Sequence, residues 1–83
     1  MTDDVRKILQ AHARLATDAG TLAPHDDLYE AGMTSHASVN VMLALEDRFD
    51  LEFPDEMLKP SVFASIAAIV AAVERIQATQ AAA

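Results

Sequence analysis

Hydrophobic side chains recur every three or four residues in three segments, which is the spacing of one face of an α-helix. The segments run from Asp3 to Thr17, from Ser35 to Phe49 and from Ser65 to about Gln80. A shorter helix is predicted from Asp55 to Lys59, because Pro54 and the acidic residues behind it suit a first helical turn. We therefore predict an all-α fold, a small up-and-down four-helix bundle of three long helices and one short helix.

The first and last helices each have one apolar stripe. Thr2 is the predicted cap of the first helix, Asp18-Ala19-Gly20 ends it, and its stripe places His12 on or beside the core as a partly buried structural histidine: Val5, Ile8, Leu9, His12, Leu15. Ser61 or, preferably, Ser65 caps the last helix, Phe63 packs at its start, and its stripe is Ile66, Ile69, Val70, Val73, Ile76. We predict one domain over residues 1–83, ordered from about 3 to 77, with a frayed tail over 78–83.

Two connections join these helices. The segment from Thr21 to Thr34 is long, and Leu22, Leu28 and Tyr29 are expected to pin it to the core. Within it, Asp26 and Asp27 suit a turn better than a catalytic pair, because adjacent loop side chains rarely converge. In the link from Asp50 to Pro54, the alternation of Leu51 and Phe53 predicts that both turn inward.

The second helix has two contrasting faces on a helical wheel. One is a predicted core stripe: Ser38, Val41, Met42, Leu45, Phe49. The other places two aliphatic residues among polar and acidic ones, which is typical of a docking surface: His36, Val39, Asn40, Leu43, Glu46, Asp47, Asp50. Ser35 stands at the head of this helix, where its hydroxyl is either a helix cap or a group displayed to solvent.

Charge and composition limit the partners. The net charge is −7, and residues 18–56 contain ten acidic and one basic side chain, so acid is concentrated around Ser35. Such a field repels nucleic acid and anionic lipid and attracts basic protein surfaces. The acidic residues lack the spacing of a calcium loop, and cysteine is absent, so no metal site and no disulfide are expected.

No apolar run approaches the roughly 20 residues that span a bilayer, and the acidic start Met1-Thr2-Asp3-Asp4 lacks the positive head of a secretory signal. A cytoplasmic monomer is therefore expected. Because the chain begins with methionine and ends in an alanine-rich tail, we also expect it to be free-standing and not a slice of a larger synthetase.

Two runs carry a family resemblance: Asp26-Asp27-Leu28-Tyr29-Glu30-Ala31-Gly32-Met33-Thr34-Ser35, and Leu45-Glu46-Asp47-Arg48-Phe49-Asp50-Leu51-Glu52-Phe53-Pro54-Asp55-Glu56. They resemble the acyl and peptidyl carrier proteins over nearly the whole chain, including the interval of 14 residues between Ser35 and Phe49. The resemblance implies covalent 4′-phosphopantetheine on Ser35. It also implies a docking face, by which we mean Thr34, His36, Val39, Asn40, Leu43, Glu46 and Asp47. Family members usually have Asp-Ser-Leu or His-Ser-Leu where this chain has Thr34-Ser35-His36.

The run Met33-Thr34-Ser35-His36-Ala37 especially resembles stand-alone aminoacyl carrier proteins. That resemblance implies a small amino acid as cargo, held as a thioester for transfer between enzymes. It implies three kinds of partner: a phosphopantetheinyl transferase, an amino acid ligase related to seryl-tRNA synthetases, and a downstream acceptor enzyme.

Two alternatives stay open at this point. The chain could be a non-covalent adaptor that binds a partner through Val39 and Leu43 while Ser35 is unmodified. It could also be an enzyme that uses Ser35 and His36, but successive residues on a helix diverge by about 100°, and no orienting acid or oxyanion pocket is evident. We therefore predict that the chain is not an enzyme.

Overall fold

A computed structural model describes the backbone of residues 1–82 and the side chains of residues 1–80. It contains three α-helices: α1 at Thr2–His12, α2 at Ser35–Phe49 and α3 at Ile66–Ala82. Three 3₁₀ turns lie between them, at Ala19–Thr21, Asp55–Met57 and Pro60–Phe63. No strand occurs within residues 1–82, in keeping with the predicted all-α class. The bounds of α2 are those that its hydrophobic spacing predicts.

The count of four helices is not confirmed, because the fourth segment forms only 3₁₀ turns. The first of these stops at Met57, and Leu58 has a backbone outside the helical region, with φ −85° and ψ 62°. Pro60, which has no amide N–H to donate, then begins the second turn. The connection between α2 and α3 is therefore two short turns that bend around Leu58 and Lys59.

One hydrophobic core joins all three helices and both connections. The connections contribute five large side chains that are at most 6% exposed: Leu28, Met33, Leu51, Phe53 and Phe63. The rings of Phe53 and Phe63 pack with their centroids 5.3 Å apart. The predicted inward direction of Leu51 and Phe53 is therefore confirmed, and Leu28 pins the long loop to the core, with Tyr29 and Leu22 packed partly against it.

The first helix ends at His12, five residues before the predicted end at Thr17. Arg14 has φ 56°, which breaks the helix, and the amide of Ala16 then donates a 2.8 Å hydrogen bond to the carbonyl of Ala31 in the long loop. The hydrophobic pattern of the sequence cannot show this break, because the hydrogen bond that takes the place of a helical one joins segments that are distant in the sequence. His12 consequently ends the helix with its side chain exposed, and the expected partial burial is wrong.

The predicted boundaries of α1 differ at both ends. Thr2 is the first helical residue and not its cap, and the cap position is Met1, which makes no side-chain capping bond. Asp18-Ala19-Gly20 does not end α1. Asp18 instead caps the 3₁₀ turn Ala19–Thr21 by accepting a hydrogen bond from the amide of Gly20.

The aspartates of the long loop are turn residues, as predicted. Asp26 Oδ2 accepts from the amide of Ala23 at 2.8 Å, and Asp27 Oδ1 accepts from the amide of Tyr29 at 2.9 Å. The guanidinium of Arg6 donates to two loop carbonyls, those of Ala19 and Leu22, each at 2.7 Å. These bonds attach a loop that is poor in regular structure to α1.

Helix α3 is capped by Ser65, the preferred candidate, whose Oγ accepts from the amide of Ala68 at 3.0 Å. The helix runs to Ala82, two residues beyond the predicted end. The expected fraying of residues 78–83 stays a prediction, and Ala83 lies outside the described residues. Val70 is only half-buried.

No described helix is both long and apolar enough to cross a membrane. The predicted cytoplasmic location stays a prediction.

Phe49 is packed less deeply than the predicted core stripe requires. Its ring is partly buried against the core, and the guanidinium carbon of Arg48 lies 5.8 Å from the ring centroid. The sequence places Phe49 among the core residues, for which truncation to alanine costs about 3–5 kcal/mol. The structure corrects this expectation to a smaller loss, because part of the ring already faces solvent.

Candidate functional site

The hydroxyl of Ser35 is displayed at the head of α2. The preceding residue, Thr34, is the helix cap, and its Oγ1 accepts a 3.0 Å hydrogen bond from the amide of Ala37. Ser35 is the first helical residue and is exposed. Within residues 1–82 its Oγ makes no hydrogen bond to protein, while its carbonyl accepts a 2.6 Å bond from Ser38 Oγ. The capping role considered for Ser35 therefore belongs to Thr34, and the serine hydroxyl is free to react.

The turn before α2 fixes the place of this serine. Gly32 has φ +119°, and a Cβ atom there would lie 3.0 Å from the backbone nitrogen of Ala16, so the position requires glycine. Met33 follows with its side chain buried, 2% exposed, and its amide donates to the carbonyl of Leu28 at 3.0 Å. A buried anchor therefore stands two residues before Ser35, and it holds the start of the helix against the core.

The two predicted faces of α2 are confirmed in their main residues. Val41 and Leu45 are fully buried, whereas Val39 is 50% and Leu43 53% exposed. Four polar members of the docking face are exposed as well, namely Thr34, His36, Asn40 and Asp47. Two aliphatic side chains therefore stand in solvent among polar neighbours, on the helix that Ser35 begins. The buried face also includes Ala37, which the predicted stripe omitted, while Ser38 and Met42 are half-buried.

Glu46 differs from the other members of the docking face. Its side chain is half-buried, and Oε2 accepts a 2.9 Å hydrogen bond from the amide of Phe53. This bond ties the end of α2 to the link that follows it, so Glu46 has a structural role that the wheel does not show. Its contribution to docking stays a prediction.

An apolar groove of about 260 Å³ opens beside Ser35, between α2 and the connection that leads to α3. We call it the arm groove, after the phosphopantetheine arm that the family resemblance implies. Nine residues line it: Tyr29, Ser35, Ser38, Val39, Met42, Leu58, Lys59, Pro60, Phe63. Tyr29 Oη donates a 3.1 Å hydrogen bond to the carbonyl of Pro60, which joins the long loop to the far wall of the groove. Leu58 is 46% exposed on that wall.

The far wall of the arm groove was not predicted from the sequence. Leu58, Lys59 and Pro60 follow Ser35 by 23 to 25 residues, and no local periodicity relates the two segments. The one available signal is Leu58 itself. It is an apolar residue in a polar segment, and the predicted short helix offers it no buried face. A second, larger groove of about 890 Å³ lies at the other end of α2, between Asp50–Met57 and α3, and Lys59 lines both grooves.

The geometry supports neither a Ser-His pair nor a metal centre in the described part of the chain. No hydrogen bond joins Ser35 Oγ to the ring of His36 within residues 1–82, and both side chains face solvent. The same residues contain no cluster of three or more histidine, cysteine or carboxylate side chains that could hold a metal ion. What the site offers is an accessible hydroxyl, an apolar groove and a half-apolar, acidic helix face.

The features of the site fit a phosphopantetheine group. Attachment requires a serine oxygen that an external enzyme can reach, and Ser35 is exposed, with no hydrogen bond to its Oγ from the described part of the chain. Residues 3–73 match the family described as the phosphopantetheine attachment site. The match and the geometry agree on the same region of the chain.

Comparison with known proteins identifies relatives along nearly the whole length. The chain is 48% identical over 69 residues to an aminoacyl carrier protein of Agrobacterium fabrum, covering 83% of each protein. It is similar to a carrier protein from Agrobacterium tumefaciens, solved with an engineered Bradyrhizobium japonicum glycine:[carrier protein] ligase and AMP. That match has a TM-score of 0.87, 46% identity and coverage of 89% of this chain and 99% of that chain.

A more distant match is to a structure of the Bradyrhizobium japonicum glycine:[carrier protein] ligase with a glycylated carrier protein. It has a TM-score of 0.73 and 25% identity, and it covers 86% of this chain and 95% of the matched chain. The free hydroxyl on α2, the family match over residues 3–73 and these relatives lead to one conclusion. The chain belongs to the family of carrier proteins that have a phosphopantetheine attachment site, and within it is a homologue of the aminoacyl carrier proteins.

Proposed function

We propose that Ser35 is the residue that bears 4′-phosphopantetheine, and that the chain carries a small amino acid for transfer between enzymes. The observation that supports this most is that Thr34 caps α2, which leaves Ser35 exposed, with no hydrogen bond between its hydroxyl and any described residue. When bound, the group supplies a terminal thiol that this cysteine-free chain lacks, and that thiol holds an aminoacyl group as a thioester.

Ser35 is a nucleophile that needs an external base. Within residues 1–82 no side chain is hydrogen-bonded to its Oγ, so the base belongs to the transferase. Ser35 Oγ forms a bond to the phosphorus of the pantetheine-bearing phosphate of coenzyme A, and the bond from that phosphorus to the bridging oxygen of the pyrophosphate breaks. The hydroxyl proton passes to the base on the transferase, and the nucleotide leaves with the other phosphate.

The docking face presents this serine to partners. Val39 and Leu43 supply about half-exposed apolar contacts, and Asp47 adds a negative charge on the same side of the helix. A partner that fits has an apolar pocket with a basic rim, since residues 18–56 have a net charge of −9. The transferase, the amino acid ligase and the acceptor enzyme are all proposed to use this face, so they bind one at a time.

The proposed cargo is a small amino acid, with glycine as the first candidate. Structures of related carriers contain a glycine:[carrier protein] ligase with AMP, with ATP and with the glycylated carrier. We therefore propose an ATP-dependent amino acid ligase of this kind as the loading partner. That the chain has no catalytic activity of its own stays a prediction, supported by the lack of a base at Ser35.

The attachment is tested by incubating the purified chain with coenzyme A and a broad-specificity phosphopantetheinyl transferase, followed by intact mass measurement. The wild type should gain one pantetheinyl increment, and Ser35→Ala should gain none. Ser38→Ala is the matched control, because it removes a second hydroxyl from the same groove, three residues along the same helix, and should still be loaded. A wild type that stays unmodified beside a fully loaded control carrier contradicts the proposal and favours a non-covalent adaptor.

The cargo is tested on the pantetheinylated chain with a glycine:[carrier protein] ligase and ATP. Glycine should add to the intact mass as a group that hydroxylamine removes, because a thioester is cleaved by that reagent. Phenylalanine, offered in the same way, should not add. Loading of both, or of neither with an active ligase, would show that the chain has a different cargo or a different loading enzyme.

A further inference from the structure

Lys59 is the basic residue of the arm groove. The other eight lining residues are neutral, and Ser35 is one of them. Lys59 is exposed, and within residues 1–82 it takes part in no ion pair; the ion pair found there joins Arg48 and Asp4. A basic residue that has no ion-pair partner among the described residues therefore lines the same small groove as Ser35.

Two hydrogen bonds hold the backbone at Lys59 and directly after it. The carbonyl of Lys59 accepts a 3.0 Å hydrogen bond from the amide of Val62, which closes the 3₁₀ turn Pro60–Phe63. The next carbonyl, that of Pro60, accepts from Tyr29 Oη at 3.1 Å. These bonds hold the backbone, and the flexible four-carbon side chain of Lys59 starts from a residue that lines the groove.

Attachment at Ser35 would place a negative charge in an unfavourable field. A serine phosphodiester is a monoanion at neutral pH, and residues 18–56 around the site have a net charge of −9. The amides of the first turn of α2 offset part of this repulsion. A cation on the opposite wall of the groove offsets more of it, and a lysine ammonium is a usual partner of a phosphate.

We propose that the ammonium group of Lys59 pairs with the phosphodiester attached to Ser35, and that this pair directs the first part of the arm between the apolar side chains of Val39 and Met42 on α2 and that of Leu58 on the far wall. The inference rests on the proposed attachment at Ser35. The two methyl groups that follow the phosphate in pantetheine are apolar, as are these side chains. The pair is exposed to solvent, so it is weak and is screened by salt.

The test uses the fact that the chain contains two lysines, Lys7 and Lys59. Lysine-selective ¹³C labelling gives two side-chain ε-methylene signals, which Lys7→Gln and Lys59→Gln assign. The spectra of the unmodified and pantetheinylated wild type are compared, with intact mass confirming complete loading. The Lys59 signal should shift on loading and return towards its unmodified position in about 1 M salt, where the Debye length is about 3 Å. The Lys7 signal, on α1, should not move.

The ³¹P signal of the attached phosphodiester reports on the same pair through its anionic partner. The ³¹P signal of the loaded wild type should differ from that of Lys59→Gln, agree with that of Lys7→Gln, and be largely restored in Lys59→Arg. The two glutamine variants make the same change in net charge, so a difference between them reflects position. A loaded chain in which neither lysine signal moves and ³¹P is the same in both glutamine variants overturns the inference. Failure of loading itself, seen by mass, would instead overturn the attachment at Ser35.

Discussion

Replacing Val39 or Val41 by alanine should have very different effects on stability, although the two valines are two residues apart on α2. Val41 is fully buried, whereas Val39 is 50% exposed. Truncation at Val41 removes two buried carbons, at about 0.8 kcal/mol each, and the cavity left behind adds about 1 kcal/mol. Alanine is the better helix former by about 0.6 kcal/mol, so the net loss at Val41 is about 2 kcal/mol.

At Val39 the same change removes half-exposed carbons and leaves no cavity. The lost transfer free energy is about 0.8 kcal/mol, and the gain of about 0.6 kcal/mol in helix propensity nearly cancels it. The two variants share the residue type, the helix and the change in helix propensity. The difference between their free energies of unfolding therefore reflects burial alone. For a domain of this size, 1 kcal/mol corresponds to about 4–8 °C in the melting temperature.

The assay is thermal unfolding followed by circular dichroism, together with the rate of pantetheinyl transfer below the melting temperature of each variant. Val41→Ala should melt about 8–16 °C below the wild type, and Val39→Ala should stay within about 4 °C of it. Transfer should slow in Val39→Ala because that side chain belongs to the docking face. Equal melting temperatures for the two variants, or a greater loss at Val39, would refute the orientation of α2.

Three further substitutions test separate parts of the structure. Gly32→Ala should destabilise the fold by about 1–3 kcal/mol, because φ +119° is unfavourable for alanine, whereas Gly20→Ala, at an ordinary φ, should cost less in the same urea titration. Glu46→Gln should lower the free energy of unfolding by about 1 kcal/mol by weakening the bond to Phe53, while Asp47→Asn should not; equal effects would contradict that bond's role. Leu43→Ala should leave the melting temperature unchanged and raise the KM for the ligase, and an unchanged KM would remove Leu43 from the docking face.

The second helix could be predicted in full because its signals are local. Thr34 supplies the capping hydroxyl directly before Ser35, the hydrophobic spacing persists over the length of the helix, and the left-handed Asp50 ends it. The contrast between buried Val41 and exposed Val39 follows from the same period. The family resemblance rests on two runs, Asp26 to Ser35 and Leu45 to Glu56, and both lie within residues 3–73, which match the family.

The rest of the site depends on contacts between distant segments. The early end of α1 comes from Arg14 in a left-handed conformation and from the bond between Ala16 and Ala31, neither of which has a signal in an alanine-rich pattern. The far wall of the arm groove forms only when the loop that carries Tyr29 meets Pro60. A sequence pattern shows which face of a helix is apolar, but it does not show which later segment leaves a groove beside it.

The most direct measurement is fragment mass spectrometry of the chain after incubation with coenzyme A and a phosphopantetheinyl transferase. Ser35 and Ser38 fall close together, so fragmentation between them decides which oxygen bears the group. The account predicts that every modified fragment contains Ser35 and that fragments with Ser38 but without Ser35 are unmodified. A pantetheinyl group on Ser38, or on any residue other than Ser35, would contradict it.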